Sequence, residues 1–413
     1  MRVKRREFLR TSIGSLPLLS ACGGSGSATA PSPSSPGSPA GPPTGNAVFH
    51  VKGIPDAPFA GPNRHVGIDA LLALMGQKGL KLHRSSRAGE TSGPDGLIAA
   101  GDVVLVKVNA QWKHRGCTNS DVVRGLVQRI LEHPDGFSGE VVIVENGQGR
   151  GSLACDTASN YDDGAVHANA NDERHSFLYL VDEVFRGSPV SAYLLDPVRS
   201  RFIADDDHVT NGYRRLETVS YPCFTTARGT RVELREGIWR GTGHTGNHKL
   251  VNVPVLKHHD TGGSEITGAV KHFYGLVSMS DGHQSERHYG SLGETCGRMI
   301  ASVRPPVLNL IDAIWVSHGA LRGYPASATA RTNQLVASQD PVAADYWAAK
   351  YVLYPVDRNA RHAPDHPGVD RWLTDCMSYV NALGGLQRPD EGLALSHLTK
   401  LETEMALHST TVA

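Results

Sequence analysis

The stretch from residue 102 to residue 147 constrains this chain more than any other. Asp102-Val103-Val104-Leu105-Val106-Lys107-Val108-Asn109 is a short, β-branched and almost continuously apolar run, the pattern of a strand covered on both faces. After a loop, Asn119-Ser120-Asp121 supplies capping side chains. The helix they open places Val122, Val123, Leu126, Val127, Ile130 and Leu131 at i, i+3, i+4 spacing. His133-Pro134-Asp135-Gly136 stops it, and Val141-Val142-Ile143-Val144 forms a second buried strand that finishes at Glu145-Asn146-Gly147. Strand, helix and strand of these lengths predict a right-handed crossover in a mostly parallel sheet.

The style returns further on. Lys249 to Leu256, Pro306 to Ile314 and Gln334 to Ser338 read as strands, each ending near a polar or charged residue. The last runs into Asp340-Pro341-Val342-Ala343-Ala344-Asp345, where Asp340 can cap a helix and Pro341 takes its favoured first position. Ala343, Ala344, Ala348 and Ala349 keep that helix thin enough to pack closely on a sheet. Residues 150 to 240 are rich in Asp, Asn, Arg and Tyr with weak periodicity and read as an insertion or cap. The expected class is α/β: a mostly parallel central sheet, helices on both faces and an irregular insertion between the two halves, in a single domain over residues 48 to 413.

The N-terminal end carries an address. Lys4-Arg5-Arg6-Glu7-Phe8-Leu9-Arg10 resembles a twin-arginine export signal, and Leu19-Ser20-Ala21-Cys22 resembles a lipoprotein processing site. Residues 1 to 22 are therefore expected to be a signal peptide read by the twin-arginine export machinery. The mature chain would begin at a lipidated Cys22, extracytoplasmic or periplasmic, with the lipid as its sole membrane attachment. Substrates of that machinery cross folded, so a cofactor could be loaded beforehand. Residues 23 to 47 are almost entirely Gly, Ser, Ala, Pro and Thr, a disordered tether whose reach is on the order of 25–30 Å. Acids and bases balance to a net charge of +0, which argues against a nucleic-acid partner. No apolar stretch reaches the roughly 18 residues needed to span a bilayer.

Beyond Cys22 the cysteines are Cys117, Cys155, Cys223, Cys296 and Cys376, with no C-x-x-C pair. No iron–sulfur cluster or zinc framework is expected. One or two disulfides and plain buried thiols are both compatible with this spacing.

In an open parallel sheet, ligands bind outside the carboxyl ends of the strands. Lys107, Asn109, Glu145, Lys257, His258 and His259 all fall at such ends. If residues 266 to 276 are helical, Thr267 and Lys271 share one face, and Gly262-Gly263-Ser264 would leave backbone N–H groups free at its start. Lysines beside a helix start favour a carboxylate or a phosphate. Asp340 and Asp345 could hold a lysine charged or orient a histidine. The chain has 20 histidines, with His258, His259, His272, His283 and His288 close together. Imidazole serves as proton carrier or as metal ligand, so a divalent metal is a candidate cofactor through His258, His283 and His288.

Three stretches together resemble one family, the domain of unknown function 362. They are Val106-Lys107-Val108-Asn109, then Asn252-Val253-Pro254-Val255-Leu256-Lys257-His258-His259 with Thr267-Gly268-Ala269-Val270-Lys271 and Gly275, and finally Val336-Ala337-Ser338-Gln339-Asp340-Pro341-Val342-Ala343-Ala344-Asp345. The resemblance covers roughly residues 100 to 355 and implies a fold and a site without an established reaction. This chain has His258 where the family more often has a small hydroxyl residue, and His272 where it usually has asparagine. The ferredoxin-type cysteines of some relatives do not occur here.

Together these readings give His259, Lys257 and Lys271 as catalytic candidates, His259 because it matches the motif. Lys107, Asn109, Thr267, His272, Asp340 and Asp345 are ligand-binding candidates. The expected partner is an anionic small molecule; the alternative is a cell-envelope protein that binds a metal ion or anionic solute. Two lookalikes are set aside. Gly241-Thr242-Gly243-His244-Thr245-Gly246 spells a dinucleotide fingerprint but precedes a strand, and Gly147-Gln148-Gly149-Arg150-Gly151 lacks the Lys-Ser/Thr pair of a phosphate loop. Asp205-Asp206-Asp207 lacks calcium-loop spacing and reads as a solvated turn.

Overall fold

The strands Val190–Leu194, Glu140–Glu145, Val103–Val108, His248–Val253 and Leu308–Ser317 lie side by side and parallel, in that order, in a computed structural model. The structure describes residues 46–148, 151–157, 163–195, 212–216, 219–259, 266–277, 290–387 and 405–412. Cys22, Gly149, Arg150, Asp205, Asp206, Asp207, Gly262, Gly263, Ser264, His283 and His288 lie outside the described residues. Beyond Leu308–Ser317 the sheet continues with Thr329–Ser338, which is antiparallel, and then with Val48–Lys52 and Leu407–Thr411. The mostly parallel sheet expected from the apolar runs is present.

Alternation of side chains splits the apolar residues between two cores. Val104, Val106 and Val108 join Ile68, Leu71 and Met75 of helix Val66–Gln77 and Val122, Leu126 and Ile130 of helix Ser120–Leu131. Val103 and Leu105 face the other way. They join a core with Leu292 and Cys296 of helix Leu292–Arg298, Val342 to Ala344 of helix Pro341–Ala348, and Trp372 and Leu373 of helix Pro367–Gln387. Burial on both faces is why these strands read as unbroken apolar runs. The caps are those the sequence named: the Asn119 side chain accepts from Asp121 and Val122, and Asp340 accepts from Val342 and Ala343.

The order of strands locates the crevice. From Val103–Val108 the chain steps outward through Glu140–Glu145 to Val190–Leu194. It then returns to lay His248–Val253 on the opposite side of Val103–Val108, with Leu308–Ser317 beyond. The direction of winding reverses between Val103–Val108 and His248–Val253, and at such a switch point an open sheet leaves room for a ligand. Pro254 interrupts the second of these strands. The chain resumes as Val255–His258, which pairs with Leu308–Ser317 through a register shift and with Ile266–Thr267. The sequence reading of one strand from Lys249 to Leu256 missed this break, because a proline lacks the N–H that the ladder needs.

The weakly periodic insertion contributes Val190–Leu194 to the sheet edge. It also holds an antiparallel sheet ordered His244–Thr245, Gly237–Trp239, Arg231–Glu233, Val219–Thr225, Tyr213–Leu216. Among the described residues no helix is long and apolar enough to cross a membrane.

The two-sided core makes a direct prediction. Leu126 is fully buried and Leu407 is half exposed, so Leu126→Ala should cost about 2–5 kcal/mol in urea unfolding. Leu407→Ala should fall within about 0.5 kcal/mol of the parent chain.

Candidate functional site

One polar row crosses the sheet at a single level. Lys107 stands opposite Asn252, Asn252 opposite Asn309, and Asn309 opposite Ser338. All four are buried, so each must find a partner inside the protein. Lys107 Nζ lies 2.6 Å from Glu145 Oε2. Asn252 Nδ2 donates to Asn309 Oδ1 and to the Ala269 carbonyl, both at 2.9 Å. Asn309 Nδ2 donates to the carbonyls of Ser338 and Gln339. The row thus ties four strands to the segments that follow them.

The Lys107–Glu145 pair is sealed. Burial lowers the Lys107 pKa and raises that of Glu145, and each partner's charge opposes the other's shift. Glu145 Oε1 also accepts the Ala110 N–H at 3.1 Å. Gly275 lies against the pair so closely that a Cβ there would sit 2.5 Å from Lys107 Nζ. The glycine of the central motif is required by this approach. The Lys107–Glu145 ion pair joins the ends of two neighbouring strands.

His272 joins the row from the adjoining turn. Both amide hydrogens of Asn252 are used, so its oxygen is the acceptor, and His272 Nδ1 donates to it at 2.5 Å. Its Nε2 is buried and has no hydrogen bond of ordinary geometry. Burial holds the imidazole well below its usual pKa, and the charges of Lys107 and Lys257 push the same way. Asn109 is likewise structural: its N–H donates to Thr118 Oγ1 at 2.8 Å, and its Oδ1 accepts the Val255 N–H at 3.0 Å, clipping the chain just past Pro254.

The segment after Ile266 corrects two expectations. Instead of one helix over residues 266 to 276, Ile266–Thr267 is a strand, Ala269–His272 a single helical turn, and Phe273–Leu276 a tighter turn. Thr267 and Lys271 therefore do not share a helix face; Thr267 lies opposite Lys257 across a strand pair. Nor are the first N–H groups of the turn free for an anion. Asp345 takes them, Oδ1 from Ala269 at 2.5 Å and Oδ2 from Val270 at 2.9 Å. Gly268 makes room, since a Cβ there would fall 2.2 Å from Asp345 Oδ1. The C-terminal motif thus caps the central one, and burial lifts the Asp345 carboxyl to about 7.

Lys257 and Lys271 come together above this floor. Both are buried, and the charge of Lys257 acts on Lys271. Lys257 Nζ donates to the Gly116 carbonyl at 2.5 Å, and Lys271 Nζ lies 5.9 Å from the centre of the Tyr274 ring. Burial drops the Lys271 pKa to about 7; Lys257 adds to the shift and Cys296 opposes it. An amine in that range is partly neutral under physiological conditions and can take a proton or attack a carbonyl. His259 is buried at the end of the same strand segment. His258 turns into a different chain of contacts: its Nδ1 meets His362 Nε2 at 2.9 Å, His362 Nδ1 meets Asp357 Oδ1 at 3.3 Å, and Asp357 Oδ2 meets His318 Nδ1 at 3.3 Å. His318, Asp357, His362, Asn309 and Cys296 escaped sequence reasoning because none lies in a spaced motif. Asn252 and Ser338 lay in motifs but carried no charge to single them out. The five described cysteines are free and buried.

Residues 244–350 match the family model described as Domain of unknown function (DUF362). The match takes in the strand pair around Pro254, Lys257, Lys271, His272 and the Asp345 cap, and leaves the Lys107 strand outside. No curated protein and no solved structure matches the chain.

Two outcomes follow from these buried charges. Lys107→Met leaves Glu145 buried without its cation and should cost about 3–5 kcal/mol in urea unfolding, while Lys107→Met with Glu145→Gln should recover much of that loss. For Lys271 the sign is set by linkage. The unfolded chain keeps this proton up to about 10.5, and the folded protein releases it at about 7. Stability therefore rises with pH between those values, and the penalty is complete below about 7. Lys271→Met should be more stable than the parent chain at about pH 6, by an amount on the order of a few kcal/mol, with the advantage shrinking toward pH 10. Urea midpoints across that range measure it.

Proposed function

We propose that this protein is exported, tethered to a membrane by lipid on Cys22, and acts on an anionic small molecule bound at the Lys257–Lys271 pair. Export and anchoring rest on the arginine pair at Arg5-Arg6 and on Leu19-Ser20-Ala21-Cys22. The observation that carries the ligand class is the pairing itself: two buried lysines beside the switch point of a parallel sheet, one of them shifted to about 7. An anion placed between them relieves their mutual repulsion and offsets the cost of burying both charges. Lys257 holds the anion, and Thr267, opposite it across the strand pair, offers a hydroxyl. Lys271 alternates between ammonium and amine and so passes a proton or attacks an electrophilic carbon. His259 is the second proton carrier.

Because a bound anion favours the charged form of Lys271, binding should take up a proton near pH 7 and tighten by up to about tenfold per pH unit as pH falls through that value. Thermal-shift titrations with phosphate and with small mono- and dicarboxylates at about pH 6, 7 and 8 read this directly. Stabilisation that grows toward low pH and disappears in Lys257→Met and Lys271→Met is the expected result. Equal stabilisation in parent and variants, or no response to any anion, overturns the proposal.

A further inference from the structure

Outside the lysine cluster, three side chains from separate stretches of loop converge with the geometry of ligands to one ion. His114 lies in the single turn His114–Gly116 that follows the Val103–Val108 strand, while His167 and Glu173 come from the loop after Asp163. One ligand atom from each lies within 4.8 Å of the others. The backbone fixes their approach: the His114 N–H donates to the His167 carbonyl at 2.7 Å, the His167 N–H to Cys155 at 2.9 Å, and the Ala168 N–H to Glu173 at 2.9 Å. The His114 and His167 rings stack with centroids 4.3 Å apart. His114 itself has φ of 54°, a conformation few non-glycine residues adopt and one that concentrates at functional sites.

The second layer is as ordered as the first. His167 Nδ1 is 2.8 Å from Glu173 Oε2, and its Nε2 is 3.1 Å from Asp163 Oδ2. Asp163 is held in turn: its Oδ1 accepts from the Ala165 N–H at 3.0 Å and from Lys113 Nζ at 2.5 Å. Lys113 is buried and also donates to the carbonyls of Asp156 and Ala165. This is the arrangement in which a histidine ligates metal through one nitrogen while a fixed carboxylate orients it through the other. Two atoms bound to one ion with bonds of about 2.1 Å sit roughly 3 Å apart, as His167 Nδ1 and Glu173 Oε2 already do.

We propose that His114, His167 and Glu173 bind a divalent transition-metal ion, with Asp163 orienting His167. Two imidazoles and one carboxylate suit zinc or iron better than magnesium or calcium, which take oxygen ligands. Three protein ligands leave coordination positions open for water or a substrate atom. The turn that carries His114 also receives Lys257, which donates to the carbonyl of Gly116. His258, among the histidines the sequence grouped for metal, contacts His362 instead.

The test uses the full chain without a histidine tag, stripped with a chelator. Zinc titration by calorimetry should give one site per chain. Cobalt should give visible d–d bands of a four- or five-coordinate ion, which zinc then displaces. Glu173→Gln and His167→Ala should weaken binding at least tenfold and erase the bands, and Asp163→Asn should weaken it about tenfold while keeping them. Glu173 is exposed, so its variant should fold normally by circular dichroism and keeps the test decisive if His167→Ala does not fold. Absence of a stoichiometric site, or affinity unchanged in folded Glu173→Gln, overturns the proposal. So does loss of the site in His258→Ala with the three ligands intact.

Discussion

Buried polarity at one level of the central sheet is the constraint on which the rest depends. Four neighbouring strands each place a polar residue, Lys107, Asn252, Asn309 and Ser338, at the same level of an otherwise apolar sheet. Removing such groups from water is costly unless partners are supplied. Here the partners come from a neighbouring strand end, from the turn at Ala269 and from the end of the antiparallel strand: Glu145 for Lys107, His272 and Ala269 for Asn252, the Ser338–Gln339 backbone for Asn309. The need to satisfy this row fixes where the turn at Ala269 to Leu276 must lie, and thereby where Lys271 points.

The same logic explains the glycines of the central motif. Gly268 admits the Asp345 carboxylate to two backbone N–H groups, and Gly275 lets a turn rest on the Lys107–Glu145 pair. Neither is there for a positive φ; both are there because a Cβ would occupy space that a charged group already fills. Two motifs separated by about seventy residues are in this way one structural unit, the later supplying the cap for the earlier. Above that unit lie the buried Lys257 and Lys271.

Much of the architecture was legible in the residues. The strands at Val103 and Val141, the helix between them with its Asn119 cap, and the Asp340-Pro341 helix start are local patterns, written in side chains a few positions apart. The site was legible only in part. Lys257 lies near enough for its charge to act on Lys271, but the reason given for Thr267 and Lys271, a shared helix face, failed because Thr267 lies in a strand and Asp345 caps a helical turn that begins only at Ala269. Lys107 carried a charge at a strand end and so looked available, whereas its partner Glu145 consumes it. The histidines illustrate the same limit: contacts between residues far apart in the chain, His258 with His362 and His114 with His167, were not readable from spacing.

What the sequence by itself determined is what depends on neighbours in the chain: the buried apolar strands, helical periodicity and the helix caps. What the tertiary structure alone decided is which buried charges lie close enough to act on one another. The physical reason is that the energy of a buried charge depends on distance and dielectric, and both are set by residues tens to hundreds of positions away. Lys107 and Lys271 are the same residue type at the rim of the same sheet. One is paired 2.6 Å from a carboxylate, and the other is held near pH 7 by burial beside a second lysine.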